Sequence, residues 1–382
     1  MVSGLGCPRV VTGAHQHGPA GAHALRVLVA PDSFGGSMTA FEAAEAIAVG
    51  WRQAATSDLV SVLPLADGGP GFVAALHAGL GGELVDVEVT DPVGRPTVAQ
   101  LLVVSDERDS TAYVESADAC GLHLLTTQER DPSRTTSAGL APLLLAAAAT
   151  GARRVVVGLG GSATNDGGAG LLEALGVRAD ALRAIELVAA TDVDSPLLGP
   201  AGATAVFAAQ KGATEQQLPW LEDRLARIAA STAPTYADRP GAGAAGGLGF
   251  ALFTLGAARV SGADLVLAAV DLDGRVAASD LVITGEGSLD AQSLRGKLPL
   301  RVAASCRAAE VPCIALAGRV LITPSAAAAA GFASTHSVEQ LAGSWQAALD
   351  AGPAGLTALA AQVATDFEFP ISRPQIWDDE CL

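Results

Sequence analysis

Gly158-Leu-Gly-Gly-Ser-Ala-Thr-Asn-Asp-Gly-Gly168 follows Arg153-Arg-Val-Val-Val157 and precedes Leu171-Leu-Glu-Ala-Leu175. The β-branched run reads as a buried strand and the leucine-rich run as a short helix. The order is strand, glycine-rich turn, helix. Glycines let backbone approach a ligand closely, and a helix N-terminus offers unpaired N–H groups and the positive end of a dipole. The stretch therefore reads as an anion cradle, a phosphate above all; the plainer reading is a tight turn capped by Asn165 or Asp166. Asn165 is the sole asparagine of the chain. In a sequence so biased toward Ala, Gly and Arg, that placement favours the cradle.

Working outward, other segments share this grammar. Val27-Leu-Val-Ala30 is a strand ending at Pro31-Asp-Ser-Phe-Gly-Gly-Ser37. Thr39 with Glu42 forms a capping box for a helix to about Ala54. Leu59–Leu65 is a second strand, ending at Ala66-Asp67-Gly68-Gly69. Leu187–Ala190 leads to Asp192, and Asp280–Ile283 leads to Thr284-Gly-Glu286. A strand over Thr204–Ala208 is expected to lead to Gln210-Lys211-Gly212, and a helix is expected over Leu248–Ala258. Strand ends aimed at one edge gather Asp32, Asp67, Gly160, Asp192, Lys211 and Glu286 into one crevice.

Between Glu83 and Val114 the pattern changes. Val85, Val87 and Val89 alternate with Asp86 and Glu88, the mark of a half-exposed strand. Val98–Val104 and Thr111–Glu115 follow. This stretch reads as antiparallel and predicts a second domain with its own sheet.

Bulk properties narrow the function. The chain has 382 residues, enough for two domains, and a net charge of −17, which argues against nucleic acid or an anionic membrane surface as partner. Half the residues are hydrophobic and only 4% aromatic, so Ala, Val and Leu build the core. Five scattered cysteines form no CxxC pair, which sets aside a disulfide framework or zinc site and makes the cytoplasm the expected location. No apolar run reaches membrane-spanning length. Residues 1–25 lack the apolar centre of a signal peptide and read as a disordered extension.

Lys211 and Lys297 are the only two lysines. Both adjoin glycine. A compact ammonium suits a migrating phosphoryl group. Lysines, carboxylates and glycine loops together match phosphoryl transfer, where positioning and charge neutralisation dominate and Mg²⁺ bridges phosphates. No P-loop is present: Ala291 stands where the first glycine before Gly296-Lys297 belongs. The protein-kinase signatures are absent too. Gly241-Ala-Gly-Ala-Ala-Gly246 matches a dinucleotide fingerprint but follows a proline-broken polar stretch rather than a strand, so it reads as a flexible loop.

The motifs Ala30-Pro-Asp-Ser-Phe34, Ala66-Asp-Gly-Gly69, Gly158–Gly168, Gln210-Lys-Gly-Ala213, Gly241–Gly249 and Gly285-Glu-Gly-Ser-Leu-Asp-Ala-Gln292 with Gly296-Lys297 resemble those of the type-1 glycerate kinases, over about residues 26–370. The resemblance implies ATP-dependent, magnesium-dependent phosphorylation of D-glycerate, often to 2-phosphoglycerate, by a cytoplasmic protein, with a homodimer as a further expectation. It implies an α/β fold of two domains. Residues 26–70 plus 276–382 would form a Rossmann-like three-layer α/β/α domain. Residues 71–275 would form an inserted mixed α/β domain with antiparallel strands, and the active site would lie in the cleft. The expected catalytic residues are Asp67, Asp192, Asp290 and Lys297. Substrate and nucleotide are expected at Asp32, Ser33, Gly160, Gly161, Ser162, Asn165, Asp166, Lys211 and Gln292, and metal at Asp192 and Glu286.

Two departures stand out. Gly35 replaces a lysine usual in the family, and Pro70 and Phe72 replace a glutamate and a threonine. They motivate two alternatives: a member with another hydroxy-acid acceptor, or one that binds ligand without turnover. A dinucleotide oxidoreductase, the remaining reading, rests on glycine patterns alone.

Overall fold

A computed structural model describes residues 24–105 and 109–367. The expected N-terminal extension lies almost wholly outside the described residues.

Eleven strands form two sheets among the described residues. The first sheet takes β1 (Arg26–Val29) and β2 (Leu59–Val62) from the start of the chain. The second is built from β3 (Glu83–Thr90), β4 (Pro96–Ser105), β5 (Ser110–Glu115), β6 (Arg154–Gly158), β7 (Glu186–Ala190) and β8 (Ala258–Val260). The first is then completed by β9 (Leu281–Leu289), β10 (Cys313–Val320) and β11 (Ser334–Ser337). Its order is β11-β10-β9-β1-β2 and every pair is parallel. The second sheet runs β3 to β8 in sequence order. It is antiparallel over β3-β4-β5 and parallel from β5 to β8. The fold is the expected mixed α/β.

Burial explains the strand types. Val27, Val29, Leu281, Ile283 and Ile314 are buried in continuous apolar runs, as a parallel sheet covered on both faces requires. One face is covered by the helices Ala40–Ala54 and Trp345–Asp366, which bury Ile47, Trp51 and Leu356 against it. The first helix begins with the Thr39–Glu42 capping box, both bonds made. The other face shares a single apolar core with the second sheet: Leu28, Leu63, Phe72, Leu102, Val156, Val188 and Val282 belong to one cluster. The far face of the second sheet packs on the helices Leu140–Ala149, Leu218–Thr232 and Leu248–Thr254.

Three local expectations are corrected. Thr204 does not start a strand; Ala203–Phe207 is a helix, because β7 already has its neighbour in β8. The helix at Leu248 stops at Thr254, since Gly256 turns the chain at φ +96° and frees Ala258–Val260 to become β8. The turn expected from Thr284 is delayed: β9 runs on through Glu286 to Leu289, paired with β10 along Gly285–Leu289. No helix of the described residues is long and apolar enough to cross a membrane.

Candidate active site

The order β9-β1-β2 brings the middle of β9 beside the ends of β1 and β2. Each presents a carboxylate: Glu286 on β9, Asp32 after β1, Asp67 after β2. Asp32 is tied to β9 by its N–H to the Gly285 carbonyl at 2.9 Å. Thr284 Oγ1 donates to Ala30 O at 2.8 Å. Asp192, after β7 of the second sheet, extends the row beyond Asp67. One of its oxygens accepts the Ala263 N–H at 3.0 Å, at the start of the helix Gly262–Ala269.

Four negative groups in a row affect one another. Burial, and then the charge of Asp67, push Asp32 up to about 7, against the opposing pull of the Ser33 N–H. Asp67 is exposed by surface area but closely surrounded by chain; that enclosure, and Asp192 beyond it, raise its pKa against the Gly69 N–H. Burial likewise raises Glu286, opposed by Ser293 and Lys297. Lys297 is the cation of the group. Its Nζ stands 3.4 Å from Glu286 Oε2, and its charge acts on Asp32, Asp67 and Asp290 as well. Glu286 Oε1 is buried without a partner.

The glycine loop faces the Asp67 turn. A Cβ on Gly160 would lie 2.4 Å from Gly69 Cα, so the two turns touch backbone to backbone and only glycine fits. Among the described residues, no acceptor takes the N–H groups of Gly160, Gly161, Thr164 or Asn165. Thr164 Oγ1 and Asn165 Oδ1 are buried and unpartnered. Asn165 Nδ2 donates to Thr204 Oγ1 at 3.1 Å. Such buried orphans are rare in folded proteins and call for a water or ligand.

Two residues expected at the ligand are turned inward. Asp166 is buried, and its carboxylate accepts from Ser137 N and Oγ, Gly168 N and Gly170 N. It holds the loop's shape. Lys211 is only 3% exposed; its Nζ donates to Ser162 Oγ at 2.8 Å and to Thr164 O at 2.7 Å. Burial lowers it to about 7. It ties the glycine loop from beneath. The Gly241–Gly249 loop closes over the same spot, where a Cβ on Gly246 would strike Thr164 O at 1.8 Å. The glycines of the rejected dinucleotide fingerprint thus serve backbone packing.

Asp290 Oδ1 accepts the N–H groups of Gln292 and Ser293, which lowers its pKa and shapes the turn before Lys297. The Gln292 side chain is exposed. Ser33 N donates to Asp32 Oδ1 at 2.6 Å.

One residue escaped the sequence reading. Glu115, at the end of β5, is buried and accepts the N–H of Gly71 at 3.0 Å and of Val73 at 3.4 Å. It caps the helix Phe72–Leu80 and so fixes the Asp67–Gly71 turn to the second sheet. Burial, then Asp118, push it up to about 8. In sequence it ends a strand-like run, where a carboxylate reads as solvated.

The matches to known proteins agree with this geometry. The model of the glycerate kinase family matches residues 27–183 and 178–368. A glycerate kinase of Bacillus subtilis is 42% identical over 328 residues, 78% of this chain and 85% of that protein. A glycerate 2-kinase of Escherichia coli K12 is 37% identical over 326 residues, 77% of this chain and 85% of that protein.

The chain belongs to the glycerate kinase family.

A crystal structure carrying the name glycerate kinase 2, from Salmonella typhimurium LT2, superposes with a TM-score of 0.71 at 35% identity, covering 90% of this chain and 98% of that one. Membership in the glycerate kinase family meets the expectation of a kinase and leaves the oxidoreductase reading without support; the non-catalytic and altered-acceptor alternatives gain none either.

Within this family member, the two departures lie on opposite walls. Gly35 is exposed at φ +58°, in the left-handed region, with its N–H side against Gly287. Pro70 packs its ring against Gly161. Arg52 donates to Val60 O at the end of its helix. That helix starts at the crevice and runs away from it. Arg319 remains at the crevice side, with Nε on Ser288 Oγ at 2.9 Å and its guanidinium 4.7 Å from the Trp345 ring centre.

Proposed function

We propose that this protein transfers the γ-phosphoryl group of ATP to D-glycerate, giving 2-phosphoglycerate, in a crevice between two domains: residues 26–70 with 276–382, and residues 71–275. The observation that carries it is the row Glu286–Asp32–Asp67–Asp192 with Lys297 beside it, facing a glycine loop that offers unpaired N–H groups.

Each part supports a role. The N–H groups of Gly160 and Gly161 suit the oxygens of a phosphate. Asp32, near 7, is poised to take the proton of the attacking hydroxyl. Asp67 is the neighbouring carboxylate and holds the second position. Lys297 is half exposed and sits where charge on a migrating phosphoryl group needs a cation. Lys211 and Asp166 keep the loop in shape from within.

Magnesium fits this donor set. Oxygen donors suit the ion, which keeps several waters and needs only one or two carboxylates. A carboxylate for it is offered at either end of the row, by Glu286 Oε1, buried and unpartnered, or by the free oxygen of Asp192. Bound there with the nucleotide, it supplies neutralisation of phosphate charge. No group of three or more His, Cys, Asp or Glu side chains among the described residues forms a ready cage, in keeping with an ion that arrives on ATP.

The test is ADP release coupled to an indicator, with ATP, magnesium and a panel of hydroxy acids. Glycerate-dependent ADP release, with 2-phosphoglycerate as product, is expected. Release independent of any acid, or none at all, would sink the proposal.

A further inference from the structure

We infer that Arg130 binds an oxyanion of a substrate in the crevice: the carboxylate of the acceptor or a phosphate of the nucleotide. The inference rests on the kinase reading above and extends it to a residue that no motif marks.

Arg130 Nε is buried and has no acceptor. The residue as a whole is half-buried; a buried donor without an acceptor is costly, and a guanidinium is suited to carboxylate or phosphate. Here the chain's own carboxylates are engaged elsewhere. Glu129, the residue before, pairs with Arg95 at 2.7 Å and accepts the Thr126 N–H at 2.9 Å. Asp131, the residue after, accepts from Ser133 N and Oγ and from Gln217 Nε2. Neither neutralises Arg130.

Its position is set by the glycine loop. Gly212, at φ +96°, lies so close that a Cβ there would fall 2.1 Å from Arg130 O. Gly212 follows Lys211, whose ammonium grips Ser162 and Thr164. On the other side Thr135 Oγ1 donates to Ala163 O at 2.9 Å. The segment 130–135 is therefore bonded to the loop at Thr135 and lies against the Lys211–Gly212 turn at Arg130. The orphaned acceptors and donors of this wall, Thr164 Oγ1, Asn165 Oδ1, Ser116 Oγ and Arg130 Nε, belong to segments that follow the C-terminal ends of β5 and β6. Arg130 is the charged one. The fork of a guanidinium matches the two oxygens of a carboxylate or phosphate.

The experiment compares wild type with Arg130→Met and Arg130→Lys in full titrations of both substrates, and measures binding of ATP, glycerate and inorganic phosphate separately by calorimetry. Arg130→Met is expected to raise one KM and the matching Kd by about tenfold to a hundredfold, with little change in Tm. A rise confined to glycerate assigns the carboxylate; a rise for ATP and phosphate assigns the nucleotide. Arg130→Lys is expected to fall between. Millimolar guanidinium added to Arg130→Gly is expected to restore part of the loss. Unchanged KM and Kd values in Arg130→Met, or losses that follow a drop in Tm without guanidinium rescue, overturn the inference. A wild type that binds ATP and phosphate but turns over no glycerate sinks the functional reading alone, and the binding titrations still report on Arg130. A wild type that binds none of the three overturns both.

Discussion

Lys297 Nζ stands 3.4 Å from Glu286 Oε2, while Glu286 Oε1 is buried and unpaired. The pair is half satisfied. The oxygen left over is an acceptor open to a ligand. Lys297 is 44% exposed, so the pair adds about 0–1 kcal/mol to stability. Lys297→Ala should leave the thermal midpoint within a few degrees and cut kcat by about a hundredfold or more. Steady-state kinetics beside a melting curve checks both halves. A variant that unfolds early, or one that keeps full turnover, contradicts the role.

Lys211 should behave in the opposite way. Lys211→Met fills the same space but strips Ser162 Oγ and Thr164 O of their donor, a loss of about 1–3 kcal/mol. Its pH signature is distinctive. Lys211 loses its proton near 7 in the folded protein and at 10.5 when unfolded. Between those values the unfolded chain binds more protons, so this group makes stability rise with pH. In Lys211→Met that rise above pH 7 should shrink. Denaturant melts from pH 7 to 10 would reveal it; an identical slope in both proteins speaks against a buried ammonium.

Asp32 predicts the shape of the rate profile. A base must be ionised to accept a proton, so kcat/KM should fall as pH drops below about 7. Asp32→Asn should lose that limb and about 10²–10⁴ of the rate. An acidic limb at the ordinary carboxylate value near 4 would take the role of base away from Asp32.

Glu115 predicts the shape of the stability profile. It ionises near 8 in the folded protein against 4.5 in the unfolded chain. Below 4.5 both states hold the proton and nothing changes. From there to 8 the folded state binds more protons, so stability falls as pH rises. Glu115→Gln keeps an oxygen for Gly71 and Val73 and removes the charge. Its Tm should decline less than wild type between pH 5 and 8, and end higher at pH 8. Asp32 acts in the same direction and remains, so the slope is reduced rather than abolished. A steeper decline in the variant would show that the ionised carboxylate stabilises the turn.

What the sequence made legible was local and repetitive. A β-branched run followed by a polar, glycine-rich turn names the end of a strand, and parallel strands send such ends to one edge; Asp32, Asp67, Glu286 and Gly160 are found that way. Lys211 shows the limit. Its rarity and its glycine neighbour marked it as unusual, but the same signs fit a ligand-facing cation and a buried staple, and only packing separates them. Glu115 and Arg130 carried no local sign. Each depends on a partner far along the chain, Gly71 for one and Gly212 for the other, and no periodicity reports on that distance. Thr204 carries a strand-like sign, but β7 already has β8 as its neighbour, and the sequence does not show that the sheet has no slot left.

The first sheet has its interior strand β1 at the start of the chain and that strand's partner β9 near the end; Arg26 and Asp280, which join them, are 254 residues apart. On the ribosome, at about 5–20 residues per second, one edge of β1 waits on the order of tens of seconds for its partner. All six strands of the second sheet are made in that interval, in the order in which they pair. The chain therefore emerges with its middle finished and its opening strand paired to β2 on one side only. An edge open for that long can pair wrongly, whereas a version permuted to begin just before β9 would make β1 with that edge's partner already present.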